Sequence, residues 1–265
     1  MDKIKVVIHG VMGKMGHQIF ISLSRNADVE IVGAVDINIT QDTISEPGIA
    51  HPVPLSTNLA DIIKRTHPRV VIDFTNHEAA MSAARTTLNS GVNMVIGTTG
   101  LSAEDIKEID KLAKAKSVGV IAAPNFALGA VLMMSMAKLA ARYFDYAEIT
   151  ELHHEQKIDS PSGTAVSTAR AMVEARGKAF LHAVPQKEVI EHTRGGEIDG
   201  VAIHSVRMPG LFAHQEVLFG GLGQTLAIRH DTGGRECYIP GIMIAVKKVV
   251  ETRGLIYGLD KLLSL

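Results

Sequence analysis

Ile4-Lys5-Val6-Val7-Ile8-His9-Gly10-Val11-Met12-Gly13-Lys14-Met15-Gly16 opens on a β-branched run and breaks at His9-Gly10 into a glycine-rich turn. Residues 18–23 then have the mixed polarity of an amphipathic helix, and residues 30–35 form a second strand-like run that ends at Asp36. Strand, glycine turn, helix, strand, acid is the order of a dinucleotide site, with the acid roughly twenty residues past the last glycine. Glycines let the backbone approach a pyrophosphate, whose charge is favoured at a helix N-terminus. Asp36 is suited to accept hydrogen bonds from adenosine ribose hydroxyls. The spacing Gly10-x-x-Gly13-x-x-Gly16 departs from G-x-G-x-x-G, and glycines alone also serve turns and close packing. The surrounding strand–helix–strand order and Asp36 carry the assignment. Lys14 lies inside the loop, within reach of phosphate, although the commoner fate of lysine is a solvated surface.

The alternation continues outward from this unit. Val70-Val71-Ile72-Asp73-Phe74 is a buried-strand run followed by a helix over 78–88. Met94-Val95-Ile96 ends at Gly97-Thr98-Thr99-Gly100, before a helix over 103–115, and a strand over 118–122 ends at Ala123-Pro124-Asn125-Phe126. Nearly continuous apolar strands separated by helices imply a parallel sheet covered on both faces. The fold class is therefore α/β, with a Rossmann-like parallel-sheet domain first. Ligands bind such sheets beyond the carboxyl ends of the strands, where the Gly97–Thr99 and Ala123–Phe126 turns fall.

The second half has a different rhythm. A Met-rich apolar helix is expected over 130–143, more in keeping with core packing than with a cofactor box. Residues 146–152 form a strand, residues 164–176 a helix with Gly177 at its C-terminal cap, and 177–199 a long polar connection. Strand-like runs at 201–207, 215–219 and 225–230, with few helices between them, predict an α+β domain built on an open mixed sheet. A final helix is expected over 242–250. The expected division is a dinucleotide-binding domain over 1–126, a substrate-binding and oligomerisation domain over 127–240, and a carboxyl tail over 241–265 packing on the first domain.

The densest chemistry lies in Glu151-Leu152-His153-His154-Glu155-Gln156-Lys157-Ile158-Asp159-Ser160-Pro161-Ser162-Gly163-Thr164-Ala165. Histidine supplies protons near neutral pH, and Lys157 adds a positive charge or a further acid. Ser162, Gly163 and Thr164 form an N-cap region whose backbone N–H groups can hold a carboxylate. That set suits an anionic small molecule that must be protonated. The plainer alternative is one packed and one solvated histidine on opposite strand faces, with an ordinary turn and cap after them.

Composition bounds the rest. A chain of 265 residues with 46% hydrophobic and 21% charged content has ample core for one large or two modest globular domains. A net charge of -1 gives no general attraction to nucleic acid or to an anionic membrane. Cys237 is the single cysteine, so neither an intrachain disulfide nor a cysteine-rich zinc site is available, and a cytoplasmic location is expected. The amino terminus runs straight into a strand without the apolar region of a secretory signal. The apolar stretch at 127–141 is short for a membrane span and closely flanked by Lys138 and Arg142. His153-His154 is not H-E-x-x-H, and Ser160-Pro161-Ser162-Gly163 is not G-x-S-x-G, so no metal site or serine nucleophile is expected. His204 and His230, in other strand-like runs, are taken as structural.

Over essentially its full length the chain resembles the 4-hydroxy-tetrahydrodipicolinate (dihydrodipicolinate) reductases. The resemblance rests on the segment from Gly10 to Gly16, on Val71-Ile72-Asp73-Phe74-Thr75, Gly97-Thr98-Thr99-Gly100 and Ala123-Pro124-Asn125-Phe126, and on Glu151-Leu152-His153-His154 with Lys157 and the segment from Asp159 to Ala165. It implies NADH- or NADPH-dependent reduction of a cyclic unsaturated dicarboxylate, closure of two domains, and a homotetramer formed through the second domain's sheet. It also implies His153 as proton donor/acceptor, Lys157 as proton donor, His154 as a substrate contact, and Gly163 with Thr164 as the carboxylate cradle. Gly10, Val11, Met12, Gly13, Lys14, Met15, Asp36, Gly97, Thr98, Thr99, Ala123, Pro124, Asn125 and Phe126 match cofactor-binding segments. Two alternatives share the first half: another amino- or hydroxy-acid dehydrogenase, and an inactive NAD(P)-responsive binding protein. Neither explains His153 together with Lys157.

Overall fold

The computed structural model describes residues 2–46, 49 and 51–265. The chain divides into two compact units, Met1–Leu128 with Arg235–Leu265, and Gly129–Gly234. The first stretch contributes β1 (Ile4–His9), α1 (Lys14–Ser24), β2 (Val29–Val35), β3 (Thr43–Ile44), β4 (Val53–Ser56), α2 (Leu59–Thr66), β5 (Val70–Asp73), α3 (His77–Asn89), β6 (Asn93–Ile96), α4 (Ala103–Lys116) and β7 (Gly119–Ala122). Next come α5 (Leu128–Ala140), β8 (Tyr146–His153), α6 (Gly163–Arg176), β9 (Gly196–Ile198), β10 (Val201–Arg207), β11 (Ala213–Gly221) and β12 (Gln224–Thr232). A short 3-10 turn, Arg235–Tyr238, leads to α7 (Ile239–Val249), β13 (Gly254–Tyr257) and α8 (Leu259–Leu263).

The first unit is built on an eight-stranded sheet in the order β13-β7-β6-β5-β1-β2-β4-β3. Its pairs are parallel except for β3 with β4. The central strands are buried along their length (Val6, Val7, Ile8, Val70, Val71, Ile72, Met94, Val95 and Ile96 all have zero exposure), as a sheet covered on both faces requires. In α1 the buried Gly16, Ile19, Phe20 and Leu23 recur at helical spacing and form one apolar stripe. Strand order turns around at β1, which has β2 on one side and β5 on the other. The segments leaving the carboxyl ends of β1 and β5 therefore flank a switch point, the usual ligand position in such sheets.

The second unit has a five-stranded sheet in the order β12-β11-β8-β10-β9, in which only β8 and β10 run parallel. Its core joins Ala165, Ala169 and Met172 of α6 to Ala147, Ile149, Val201, Ile203, Val217 and Phe219 of the sheet. Along β8 the buried residues are Ala147, Ile149 and Glu151, a strict two-residue period whose last member is a carboxylate. Gln215, also buried, stands opposite Glu151 in the β8–β11 register and donates to Thr168 Oγ1 at 2.9 Å. The core of this unit thus turns polar at the end where β8 reaches His153.

Several sequence expectations are corrected. Sequence periodicity predicts no element between Asp36 and Val70, whereas β3, β4 and α2 occur there. β3 and β4 span two and four residues, too short to display a period. The helix expected over 130–143 is α5, Leu128–Ala140. The connection over 177–199 contains β9, which completes the sheet edge beside β10. The chain returns to the first unit at Arg235 rather than at 241, because the 3-10 turn contacts α1 and α7.

Candidate active site

The glycine loop is shaped by what its neighbours leave room for. Gly10 has φ +86°, and a Cβ there would lie 2.7 Å from the Phe74 carbonyl oxygen; at Gly16 it would lie 1.9 Å from the Gly10 carbonyl oxygen. Both positions exclude any side chain. Gly13 is the N-cap residue of α1, and no side chain caps that helix. Its amino end is thus left to backbone donors, the arrangement that receives a phosphate. Asp36, only 8% exposed, accepts the Met12 N–H at 2.9 Å and the Asn38 N–H at 3.0 Å. Its carboxylate therefore already ties the end of β2 to the loop. Lys14 and Met12 are exposed, whereas Val11 is buried.

Phe74 gathers the other turns. Besides its backbone against Gly10, its ring fills the space where a Gly97 side chain would sit (2.1 Å to a virtual Cβ), and its centroid lies 5.9 Å from that of Phe126. Below it, the fully buried Asp73 faces His9 Nδ1 at 2.6 Å and accepts from Thr98 Oγ1 at 2.6 Å and Thr75 Oγ1 at 3.0 Å. The Thr75 N–H donates to Thr98 Oγ1 at 2.8 Å. The ends of β1, β5 and β6 are thereby pinned together, which brings the glycine loop and the Gly97–Thr98 turn to one end of the sheet. Thr98, Ala123 and Phe126 are buried and shape the wall, while Thr99 and Pro124 are exposed. Asn125 caps its own turn, accepting the Ala127 N–H at 2.8 Å. The roles of Phe74, Thr75 and His9 were not singled out from sequence, since nothing local announces a contact across adjacent strands.

In the second unit β8 delivers His153 at its last position, with His154 just beyond it. Glu151, with no exposure, faces His153 Nδ1 at 2.5 Å through Oε2. Arg207, opposite His153 in the parallel β8–β10 register, donates to both Glu151 oxygens at 2.8 and 3.0 Å. The Ser162 N–H donates to Glu151 Oε1 at 3.2 Å. Burial pushes the Glu151 carboxyl up, but hydrogen bonds from Arg207, Ser205 and His153 more than offset this and hold it below the usual glutamate range. Burial pushes the His153 imidazole below its ordinary value; Glu151 acts against that shift, and the charges of Lys157 and Arg207 add to it.

Lys157 pairs with Asp159 at 2.5 Å. The Asp159 carboxyl is held low by Lys157 first, with the Gly163 backbone contributing a further hydrogen bond. Ser162 caps α6 as expected, its Oγ accepting the Ala165 N–H at 3.2 Å, and Gly177 closes the helix with φ +73°. Space around Gly163 is open. His153, His154, Lys157, Gly163 and Thr164 all belong to this one strand end, turn and helix start. Among the other histidines, His204 pairs with Glu148 at 2.9 Å, and His230 packs over Gly129, where burial lowers its pKa. Among the described residues no group of three or more His, Cys, Asp or Glu side chains is placed to hold a metal ion, and no helix is long and apolar enough to cross a membrane.

A parallel sheet with a glycine loop and acid at its switch point, joined in one chain to a unit bearing an imidazole–ammonium pair, defines a nicotinamide-dependent oxidoreductase. The profile for the N-terminus of dihydrodipicolinate reductase matches residues 4–126, and that for its C-terminus matches 129–263. The chain belongs to the dihydrodipicolinate reductase family. It is 50% identical over 265 residues, all of both chains, to a 4-hydroxy-tetrahydrodipicolinate reductase of Dehalococcoides mccartyi. It is 47% identical to that of Moorella thermoacetica, with 98% of each chain covered. A dipicolinate-bound dihydrodipicolinate reductase from Paenisporosarcina sp. TG-14 superposes with a TM-score of 0.89 at 40% identity, covering 98% of this chain and 99% of that one.

Proposed function

We propose that this chain reduces 4-hydroxy-tetrahydrodipicolinate, by way of its dehydrated cyclic imine, to tetrahydrodipicolinate in the lysine and diaminopimelate pathway, using NADH or NADPH. The observation that carries this reading is that His153, at the end of β8, and Lys157, in the turn after it, lead directly into the Gly163–Thr164 start of α6, within a chain similar throughout to reductases of that substrate. The residues fit a dinucleotide: Gly10 and Gly16 leave room for close backbone approach, Gly13 to Met15 present the start of α1, and Asp36 suits a ribose diol. The nicotinamide, when bound, supplies the hydride. Gly97–Thr99 and Ala123–Phe126 complete the cofactor contacts.

The chain's own residues manage charge. Hydride addition to a conjugated imine drives an electron pair toward the ring nitrogen, so a proton source and cationic surroundings lower the barrier. His153 and Lys157 supply these. Gly163, Thr164 and His154 receive a substrate carboxylate, which displaces Asp159 from Lys157 and Gly163. His153 need not be protonated beforehand: the incoming dicarboxylate raises the imidazole pKa, so His153 gains its proton as substrate binds. The expected assembly is a cytoplasmic homotetramer formed through the second unit's sheet, which mass measurement in solution tests.

The reaction is tested with enzymatically generated substrate, following NADH and NADPH oxidation separately. His153→Gln and Lys157→Ala are expected to lower turnover by about two orders of magnitude, the scale of general acid–base catalysis, while folding and cofactor binding persist. No oxidation of either nucleotide by the unaltered protein overturns the assignment.

A further inference from the structure

We infer that Glu151 is the positioning residue for His153, committing Nδ1 of the imidazole as a donor so that Nε2 faces the chemistry, with Arg207 holding Glu151 in place. This rests on His153 handling the reaction's proton. Glu151 and His153 lie two residues apart on β8 and so share one face, and the carboxylate occupies a core position that the strand's pattern would otherwise fill with an aliphatic side chain. A fully buried carboxylate is costly unless it is paired and hydrogen-bonded. Here the pairing is complete: Arg207 grips both oxygens, Ser162 N–H takes Oε1, and the imidazole takes Oε2.

An ionised carboxylate only accepts. The Nδ1 it faces must therefore carry hydrogen, and the neutral ring is the Nδ1–H tautomer. The same carboxylate holds the backbone of Ser162, the residue that caps α6. One buried group thus sets both the imidazole and the start of the helix that bears Gly163 and Thr164, fixing the spacing between proton source and carboxylate cradle. Arg207 also donates to the Asp159 carbonyl at 2.8 Å, so the turn between them is tied to the same centre. The charges bearing on the imidazole are Glu151 from β8, Arg207 from β10 and Lys157 from the turn after β8, the last paired with Asp159.

The sign of the pH effect follows from the contacts. Glu151 raises the imidazole pKa, so neutralising it as Glu151→Gln moves the limb of the kcat–pH profile that reports His153 to lower pH. That substitution is expected to reduce kcat at least ~10-fold, in the direction of a neutralised triad carboxylate, with KM for NADH unchanged. In a cycle with His153→Gln, the double variant is expected to lose no more than His153→Gln alone, because Glu151 acts through the ring. A separate readout needs no substitution. With nitrogen-15 histidine in the intact protein, long-range proton–nitrogen spectra above the titration of His153 should show a protonated Nδ1 and a bare Nε2.

The opposite tautomer overturns the inference even if E151Q does not fold. So does a wild-type kcat and pH limb in folded E151Q while His153→Gln is impaired, or additive losses in the cycle. An unimpaired His153→Gln instead overturns the underlying assignment of His153, and the inference falls with it.

Discussion

Asp36, which holds the Met12 N–H of the glycine loop, and Lys14 of the same loop are expected to set opposing nucleotide preferences. A carboxylate at the end of β2 favours two ribose hydroxyls and repels an added phosphate, and Ile37 beside it is exposed and carries no guanidinium. Lys14, the first residue of α1, offers an ammonium that offsets part of the repulsion. The expected outcome is use of both nucleotides with NADH preferred. Asp36→Ala should narrow that preference by about 10-fold, the effect of ~1.4 kcal/mol, and Lys14→Ala should weaken NADPH more than NADH. Catalytic efficiencies compared at one ionic strength check this, since the phosphate contact is screened by salt. A strong native preference for NADPH that survives Lys14→Ala rules the electrostatic account out. At this scale the sequence offered His153, Lys157 and Gly163 as candidate groups, and they fall on one strand end, turn and helix start. It was silent on the groups behind them, because Arg207 meets Glu151 only through the parallel register of β8 and β10.

Most elements with local signals were legible, although α2 was not, despite its Asn58 cap. α6 could be bounded because Ser162 and Gly177 are a cap and a left-handed stop that act within a few residues. Elements that exist through their neighbours were not: β4 has four residues and is held between β2 and β3, and β9 is a three-residue edge beside β10. Glu151 was an available clue at this scale, since a carboxylate in phase with Ala147 and Ile149 breaks the strand's apolar face. Ser162→Ala removes the side-chain acceptor at the head of α6 but keeps the backbone donor to Glu151. It should cost about 1 kcal/mol in urea unfolding while leaving the His153 tautomer unchanged. A loss many times larger would mean that the hydroxyl does more than cap.

For the molecule as a whole, acid should act on the second unit first. The folded pKa of His153 lies below its ordinary value of 6.5, so the unfolded chain binds the proton earlier, and stability present above about pH 6.5 falls as pH drops through that window. Glu151, held below its ordinary 4.5, adds a second loss as pH falls below that value. The lowered carboxyls of Asp105 and Glu108 lie at the surface and are screened. Calorimetric melts from about pH 7.5 down to about pH 4 check the order: a transition temperature that rises on acidification contradicts both contributions. The α/β class and the change of rhythm in the second half were readable from alternation alone. The sheet order was not, because pairing of β13 with β7 joins residues separated by the entire second unit.

That pairing has a consequence for how the chain is made. β13 and α7 leave the ribosome after β12, yet β13 covers the edge of β7 and α7 supplies the buried Ile242, Ala245, Val246 and Val249. Until they arrive, the nascent first unit carries an unpaired strand edge and an uncovered apolar surface, the features that invite association with other chains. A fragment ending at residue 128 should therefore bind a hydrophobic dye and exchange the β7 amides rapidly, and adding a peptide of residues 235–265 should suppress both. A compact, dye-silent fragment would show that the tail is dispensable. In the intact protein, the half translated first is the half completed last.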